Sequence, residues 1–284
     1  MEKYFNICNK FIKRNKLLFI IILIGIIILI GIILLCVNLK SDEKDNTSIC
    51  IIIPVTSNKR NWNKFEETYL HNYFLESFTK IYDPKINHLI LLGIDDHDKL
   101  FNNDKFKNDI KKYLHKKQNI EIDFISTNGI KKGNVVHIWN RLFNEGINRG
   151  YDYFLQCGDD IEFYTNWEKD FINKLENNNN IGAIGFGDKL RLQNNKEDDL
   201  ATQSFVHKTH YNIFNYYFNP NIENYGCDDW ITGVYKKTNN YYYNVNNHKI
   251  TNRGGEPRYI PVANRKLWNK LINEDYIKII NYQK

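Results

Sequence analysis

Three pairs of adjacent aspartates are the residues of this sequence best suited to chemistry. Asp159 and Asp160 follow an apolar run, 153–157, that predicts a buried strand. Two neighbouring carboxylates repel each other unless a cation lies beside them, so this pair predicts a site for Mn²⁺ or Mg²⁺. An ion held there could bridge to a diphosphate and stabilise its charge as it departs. The alternative is a solvated turn or a helix cap that uses two acids.

The other two pairs predict a binding acid and a general base. Asp95 and Asp96 follow a second apolar run, where a carboxylate could accept hydrogen bonds from a ribose hydroxyl or a base N–H. The alternative for this pair is an exposed acidic turn, which is also what we predict for Asp98. Asp228 and Asp229 could include a base that takes a proton from an acceptor hydroxyl. Their alternative is capping, because one of them has the position of a helix N-cap.

Basic and polar residues elsewhere could complete such a site. Thr56 and Arg60 follow the first predicted strand, and Arg60 with Lys131 and Lys132 could neutralise a diphosphate. Exposed lysines usually have no such role, so a solvated position is the alternative for these two. Histidines offer late metal ligands, with a surface or structural role as the alternative. The candidates are His207, His210 and His248.

Apolar runs that alternate with helical patterns predict an α/β domain built on a mostly parallel sheet with helices on both faces. Ligands of such sheets bind beyond the carboxyl ends of the strands, where the acidic pairs stand. After residue 186 the pattern predicts polar loops, a short strand at 203–207, helices from Thr209 and Asn264, and a Tyr-rich stretch at 241–245. Predicted strands are 49–55, 88–94, 120–126, 151–157 and 181–186; predicted helices are 61–82, 104–115, 134–148 and 166–176.

Several function classes are excluded. The loop after the first strand, 56–60, has no glycine, which excludes the dinucleotide-binding fingerprint, and no P-loop occurs. The net charge of +6 is spread along the chain without a dense basic tract, so we expect no nucleic-acid partner. The five cysteines are scattered and form neither a disulfide framework nor a zinc spacing.

The N-terminal part predicts a single-pass membrane protein. The uncharged run 17–37 is mostly Ile and Leu, and at about 1.5 Å per residue it would span about 30 Å. Basic residues precede it and acids outnumber them after it, which predicts a cytoplasmic N-terminus. We therefore expect a cytoplasmic tail (1–16), a signal-anchor (17–37), a stem (38–48) and one domain (49–284). That domain would face the lumen of the Golgi or endoplasmic reticulum, or lie on a virus-derived membrane; a glycosylation sequon begins at Asn46.

Taken together, these stretches resemble the GT-A fold glycosyltransferases. The run 153–163, followed by a Trp167-initiated helix, is similar to the acidic metal motif of animal N-acetylglucosaminyltransferase I. The resemblance puts Gly158 at that motif's first acidic position and Asp160 at its direct metal ligand. Cys227-Asp228-Asp229-Trp230 resembles the same family's base motif, which implies Asp228 as the base, with Asp229 as the other assignment.

A broader resemblance covers most of 50–260. It is to an uncharacterised GT-A-like group of large DNA viruses and protists, carried by the motifs at 53–57, 129–133, 156–160, 202–205 and 254–259. The resemblances imply metal-dependent transfer of a sugar from a nucleoside diphosphate sugar to a glycan or glycoprotein acceptor. We expect this transfer to invert the configuration of the anomeric carbon. The first alternative is a non-catalytic, membrane-tethered glycan-binding protein, which Gly158 favours. The second is a sugar nucleotidyltransferase, whose Gly-rich first loop is missing here.

Overall fold

The computed structural model describes residues 25–29, 31, 47–193 and 199–284. Residues Thr47–Lys284 form one compact unit, and the site lies within it. Of the predicted anchor at 17–37, only 25–29 and 31 fall within the described ranges, and the predicted tail at 1–16 and most of the stem fall outside them. Within those ranges, no helix combines the length and the apolar character that crossing a bilayer requires.

The strands of the described residues are β1 (Ser48–Val55), β2 (Asn87–Ile94), β3 (Ile120–Ser126), β4 (Tyr153–Gln156), β5 (Ile161–Phe163), β6 (Ala183–Gly185), β7 (Gly187–Asp188), β8 (Ser204–His207), β9 (Tyr241–Tyr243) and β10 (Lys249–Asn252). A seven-stranded sheet organises this unit, with strand order β3-β2-β1-β4-β8-β6-β9. Neighbouring strands are parallel except that β8 runs antiparallel to both β4 and β6. The predicted mostly parallel α/β sheet is therefore confirmed.

The apolar run of β1 is buried on both faces of the sheet. Ile51 and Ile53 pack into one hydrophobic core, whereas Cys50 and Ile52 pack into the other. A strand covered on both sides reads as continuous apolar sequence, which is the pattern seen here. Helices cover both faces: α1 (Glu76–Ile81), α2 (Asp104–Leu114) and α4 (Glu168–Glu176) on the first, α3 (Val135–Asn148), α6 (Thr209–Phe214), α7 (Cys227–Lys236) and α8 (Arg265–Tyr282) on the second; α5 spans Lys189–Gln193.

The helix predicted over 61–82 is interrupted in its first half. A 3-10 turn at Phe65–Glu67 ends at Thr68, whose backbone is extended. The Thr68 hydroxyl donates to the Phe65 carbonyl (2.7 Å) and accepts from His71 N (3.2 Å), so a threonine side chain competes with the helical pattern. A π-helical segment, Leu70–Leu75, then continues into α1.

A second, three-stranded sheet of order β5-β10-β7 was not predicted. Strand β10 pairs antiparallel with β5, so that Asn252 lies opposite Ile161. The next residue, Arg253, donates its backbone N–H to the carbonyl oxygen of Asp160 (2.9 Å). This sheet therefore brings the segment 253–262, which we name the C-terminal strap, to the end of β4.

Gly226, the N-cap of α7, lies against the Trp268 ring of α8. We therefore expect a substitution at Gly226 to lower the stability of the protein. The φ of Gly226 is +92°, a region that L side chains rarely adopt, and a Cβ there would overlap the ring of Trp268. Strain and overlap together should make Gly226→Ala destabilising by at least about 2 kcal/mol. We expect Tm to fall by about 4–8 °C in thermal unfolding.

Gly129→Ala is the matched control, because Gly129 also has positive φ (+80°) and a Cβ there would meet nothing within 4 Å. It should cost only the backbone strain, about 1 kcal/mol. Equal losses of Tm in the two variants would contradict a packing role for Gly226.

Candidate functional site

Two cavities adjoin at the carboxyl ends of the parallel strands, and Asp160 lies on both. The larger has a volume of about 800 Å³ and the smaller about 380 Å³. Their linings include Pro54 of β1, Asp95 just after β2, Thr127 just after β3 and Gln156 of β4. This is the sheet edge at which ligands of open α/β folds bind.

The larger cavity brings two of the predicted acidic pairs together. Asp159 and Asp160, which connect β4 to β5, line it together with Asp228 and Asp229 from the first turn of α7. The two pairs are about seventy positions apart in the sequence, and the fold brings them together at this edge of the sheet. Its remaining polar and aromatic lining includes Trp139, Arg191, Thr202, Gln203, Asn224, Tyr225, Asn252, Arg258, Arg265 and Trp268.

The smaller cavity collects most of the predicted nucleotide-binding residues. Thr56, Arg60, Asp95, Lys131 and Lys132 all line it, together with Asp160 and much of the C-terminal strap. An oxygen of the Asp95 carboxylate accepts from the hydroxyl of the strap residue Tyr259. Burial and this acid raise the pKa of Tyr259, so the phenol stays a donor.

Asp96 is separated from the rest of the predicted site. It is exposed, lines neither cavity and accepts a hydrogen bond from Ser126 Oγ (2.9 Å). Asp98, predicted to be an exposed turn acid, is instead buried, with 6% of its surface accessible. Its carboxylate accepts from Thr56 Oγ1 (3.2 Å) and from the N–H of Phe101 (2.9 Å), so it holds together the loops after β1 and β2.

Asp159 is fully buried and paired with an arginine. Only 1% of the residue is accessible, and Oδ1 accepts from Arg258 Nη2 (2.7 Å). Oδ2 is buried without a hydrogen-bond partner in the part of the chain that the structure describes. Burial raises the pKa of Asp159, while the Arg258 charge acts against the rise.

Asp160 is enclosed between two glycines. A Cβ on Gly158 would come within 2.5 Å of Asp160 Oδ1, and a Cβ on Gly254 would overlap Oδ2. Gly158, which the sequence resemblance puts at an acidic position, therefore leaves the space that the Asp160 carboxylate takes. Burial and the neighbouring Asp159 charge raise the pKa of Asp160 to about 6.

Asp228 and Asp229 do not cap α7 with their side chains. The N-cap is Gly226, and Asp228 Oδ1 instead accepts from the backbone N–H of Asp229 (3.1 Å). The predicted N-cap alternative is therefore wrong, although both acids sit in the first turn, where the helix dipole favours negative charge. Burial and the neighbouring Asp229 charge raise the pKa of Asp228 to about 6, which suits a proton acceptor near neutral pH.

The oxygen ligands around Asp160 fit a hard divalent cation. Asn252, which lines both cavities with Asp160, brings a side-chain oxygen close to the same glycine, Gly254, whose N–H it accepts (3.0 Å). Within residues 47–193 and 199–284, no three His, Cys, Asp or Glu side chains form a metal cluster. Mg²⁺ is commonly held by one or two carboxylates together with substrate phosphates, and a single carboxylate beside a cavity that Arg60, Lys131 and Lys132 line is compatible with that mode.

The candidate histidines lie elsewhere. Both ring nitrogens of His248 are engaged, Nδ1 with Thr165 Oγ1 (2.7 Å) and Nε2 with Asp170 Oδ2 (2.7 Å), and His248 lines neither cavity. His207 and His210 also line neither cavity, and burial lowers the pKa of each to about 4. The structure thus places the three histidines apart from the acidic pairs.

The C-terminal strap contributes two residues that the sequence analysis named only as part of the 254–259 motif and not as site residues. Arg258 and Tyr259 line the cavities, and their partners Asp159 and Asp95 are 99 and 164 positions away in sequence. The one available signal was the Gly-Gly-Glu-Pro turn that carries them, because such a turn sets a short segment back against the domain.

Comparison with known proteins supports the fold. No protein-family model matches the sequence, and no curated protein matches it. The structure of S. aureus TarS 1–349 in complex with UDP-GlcNAc aligns with a TM-score of 0.52 at 12% identity, over 83% of this chain and 67% of that chain.

Two further solved structures align less well. A second structure of S. aureus TarS 1–349 aligns with a TM-score of 0.47 at 13% identity, over 69% of this chain and 58% of its own length. The mannosyltransferase PcManGT from Pyrobaculum calidifontis, in complex with GDP-Man and Mn²⁺, aligns with a TM-score of 0.44 at 11% identity, over 69% of this chain and 53% of its own. The likeness to UDP-GlcNAc-bound TarS shows a shared fold, and the chemistry rests on the residues of the site.

Proposed function

We propose that this chain is a glycosyltransferase that moves a sugar from a nucleoside diphosphate sugar to a hydroxyl of a glycan or glycoprotein acceptor. One observation carries the proposal. Asp160 stands where a cavity lined by predicted nucleotide-binding residues meets a cavity lined by a candidate base. A donor whose diphosphate lies beside Asp160 would place its nucleoside on one side and its sugar on the other.

The smaller cavity suits the nucleoside end of the donor. Asp95 at the carboxyl end of β2 can accept hydrogen bonds from ribose hydroxyls or a base N–H. The Tyr259 hydroxyl, which donates to this carboxylate, would then share it with the ligand or give up its hydrogen bond. Lys131 and Lys132 lie exposed on the same cavity and add positive charge near the phosphates. Arg60 mainly holds the strap, because it donates to the carbonyls of Gly254 (3.0 Å) and Glu256 (2.8 Å).

The larger cavity suits the sugar and the acceptor. Its volume of about 800 Å³ accommodates a saccharide, and Trp139, Trp268 and Tyr225 on its wall offer flat apolar faces beside polar groups. Asp228 would take the proton of the acceptor hydroxyl as it attacks the anomeric carbon. The attacking oxygen forms its bond as the diphosphate leaves toward Asp160, and this direct displacement predicts inversion.

A divalent cation, Mn²⁺ or Mg²⁺, held by Asp160 would stabilise the charge that develops on the leaving diphosphate.

We also propose that residues 17–37 anchor the protein as a type II membrane protein with the site on the luminal side. If the domain is luminal, Asn46 should carry a glycan, and Asn46→Gln should lose it. The loss should be seen as a mobility shift relative to the wild type on gel electrophoresis. A protein without a glycan whose domain is digested by protease outside sealed vesicles would contradict it.

A donor screen tests the function. The full-length protein is incubated with UDP-, GDP- and dTDP-linked sugars, each with and without Mn²⁺. A ligand present at 100 times its Kd stabilises the folded state by about 2.7 kcal/mol, so the true donor should raise Tm by about 5–10 °C. The matching nucleoside is the control, because it lacks the diphosphate and should give a smaller shift.

Turnover separates the enzyme from a binding protein. The donor that raises Tm should also be hydrolysed slowly or transferred to glycan acceptors, as measured by release of the nucleoside diphosphate. Binding without any turnover across acceptors would favour the non-catalytic glycan-binding alternative. If no nucleotide sugar changes Tm or is consumed, the proposal is wrong.

A further inference from the structure

Arg258 is a partly buried cation that lines both cavities of this site. Its side chain is 15% exposed, lines both cavities and donates from Nη2 to Asp159 Oδ1 (2.7 Å). The guanidinium also lies over the rings of Trp62 (5.8 Å) and Tyr69 (5.6 Å). An ion pair and two aromatic rings therefore fix an arginine at the point where the two cavities meet.

The two members of the Asp159–Asp160 pair have different surroundings. The Asp159 side chain is 2% exposed, and its Oδ1 is the oxygen that pairs with Arg258. The Asp160 carboxylate lies between Gly158 and Gly254 and lines both cavities. Although the sequence suggests two equivalent carboxylates, Asp159 is paired with an arginine and lines only the larger cavity, whereas Asp160 lies where the two cavities meet.

We propose that Arg258 binds the donor's diphosphate, that Asp159 is the positioning residue that holds Arg258, and that Asp160 alone serves the cation. This assignment rests on the proposed function and gives different roles to Asp159 and Asp160. A guanidinium carries five N–H donors in a planar fork, and Asp159 accepts from one of its nitrogens. The fork geometry matches phosphate oxygens, and a partly desolvated arginine binds them more strongly than an exposed lysine does.

The other basic residues of the smaller cavity are less suited to this role. Arg60 donates to backbone carbonyls of the strap, and Lys131 pairs with Glu223 (3.0 Å) on the surface. Lys132 is exposed and lies 5.9 Å from the centre of the Tyr259 ring. Arg258 is the cation that combines burial with a position on both cavities.

Titration calorimetry with UDP and GDP, each with and without Mn²⁺, tests the proposal on the full-length protein. Arg258→Gln should weaken binding of the diphosphate that the wild type binds by about 10- to 100-fold, since it removes charged hydrogen bonds. Asp159→Asn should weaken it by a smaller factor and keep the gain in affinity that Mn²⁺ gives. Binding of uridine or guanosine, which lack phosphate, should be unchanged in both variants.

The double variant Asp159→Asn/Arg258→Gln distinguishes a positioning role from two others, and it leaves no buried unpaired charge. If Asp159 acts through Arg258, the double variant binds no worse than Arg258→Gln alone. Restoration of wild-type affinity would mean that Arg258 merely neutralises Asp159, and multiplied losses would mean that Asp159 contacts the ligand itself. Either result overturns the proposal.

Arg253→Gln is the matched control. Arg253 is in the same strap and pairs with Glu162 (2.7 Å) on the surface, but it lines neither cavity, so its variant should bind like the wild type. Equal losses in Arg253→Gln and Arg258→Gln would assign the effect to the strap as a whole and overturn the proposal. A wild type that binds neither UDP nor GDP would instead count against the proposed function.

Discussion

Asp228→Asn should lower kcat by about 10²–10⁴-fold, because an asparagine cannot accept the proton of the acceptor hydroxyl. The amide keeps the size of the side chain and can still accept from the Asp229 N–H, so the first turn of α7 should persist. Donor affinity should stay within about two-fold of the wild type, since Asp228 lines the larger cavity and not the smaller one. Steady-state kinetics together with calorimetry measure the two effects separately.

Asp229→Asn and Asp96→Asn are the comparison variants. Asp229 lines the same cavity, and a loss larger in Asp229→Asn than in Asp228→Asn would move the base to Asp229. Asp96 undergoes the same chemical change at an exposed site outside both cavities, so its variant should keep wild-type kcat. If Asp228→Asn is as active as Asp96→Asn, Asp228 is not the base.

The pH dependence follows from the raised pKa of Asp228, about 6, which burial and the Asp229 charge cause and Arg191 opposes. A carboxylate acts as a base only when it is ionised, so activity should fall tenfold per pH unit below about 6 and level off above it. Saturating Mn²⁺ in the assay favours the ionised form of Asp160, which otherwise titrates in the same range. Asp229→Asn removes a neighbouring negative charge and should move the acid limb to lower pH.

Long local patterns made the fold predictable. The apolar runs of β1, β2 and β3 and the periodicity of α2, α3 and α8 each extend over seven residues or more, which is enough for the pattern to identify the element. Strands β5, β7 and β10 have two to four residues, so no period can be read from them. Their pairing is decided by partners far along the chain, such as Ile250 opposite Phe163.

The same contrast applies to the site. Asp95, Asp160 and Asp228 were predictable because each follows a strand or begins a helix, and parallel strands end at one edge of the sheet. Arg258 was not predictable, because its role depends on a pairing with Asp159 that β10 creates over 99 residues. The burial of Asp98 was not predicted for a related reason, since its partner Thr56 lies in the loop after a different strand.

Asp160→Asn should abolish the dependence of nucleotide binding on Mn²⁺ and lower kcat by about 10²–10³-fold. The neutral amide replaces the carboxylate that lies on both cavities, and loss of a charged oxygen ligand removes several kcal/mol of charge stabilisation at the leaving group. The side chain keeps its volume between Gly158 and Gly254, so the protein should fold with a Tm close to that of the wild type. Calorimetry with UDP or GDP at several Mn²⁺ concentrations measures the effect directly.

The neighbouring variant Asp159→Asn makes this prediction specific to one carboxylate. Because Asp159 is paired with Arg258 and lines only the larger of the two cavities, its variant should bind the diphosphate less well yet keep the Mn²⁺-dependent gain. Asp160→Asn should lose that gain and keep most of the metal-free affinity, because Arg258 and its partner stay in place. Two adjacent aspartates would then give opposite binding signatures, which simple repulsion between equivalent carboxylates cannot produce. An Asp160→Asn protein that retains the full Mn²⁺ response would place the cation elsewhere.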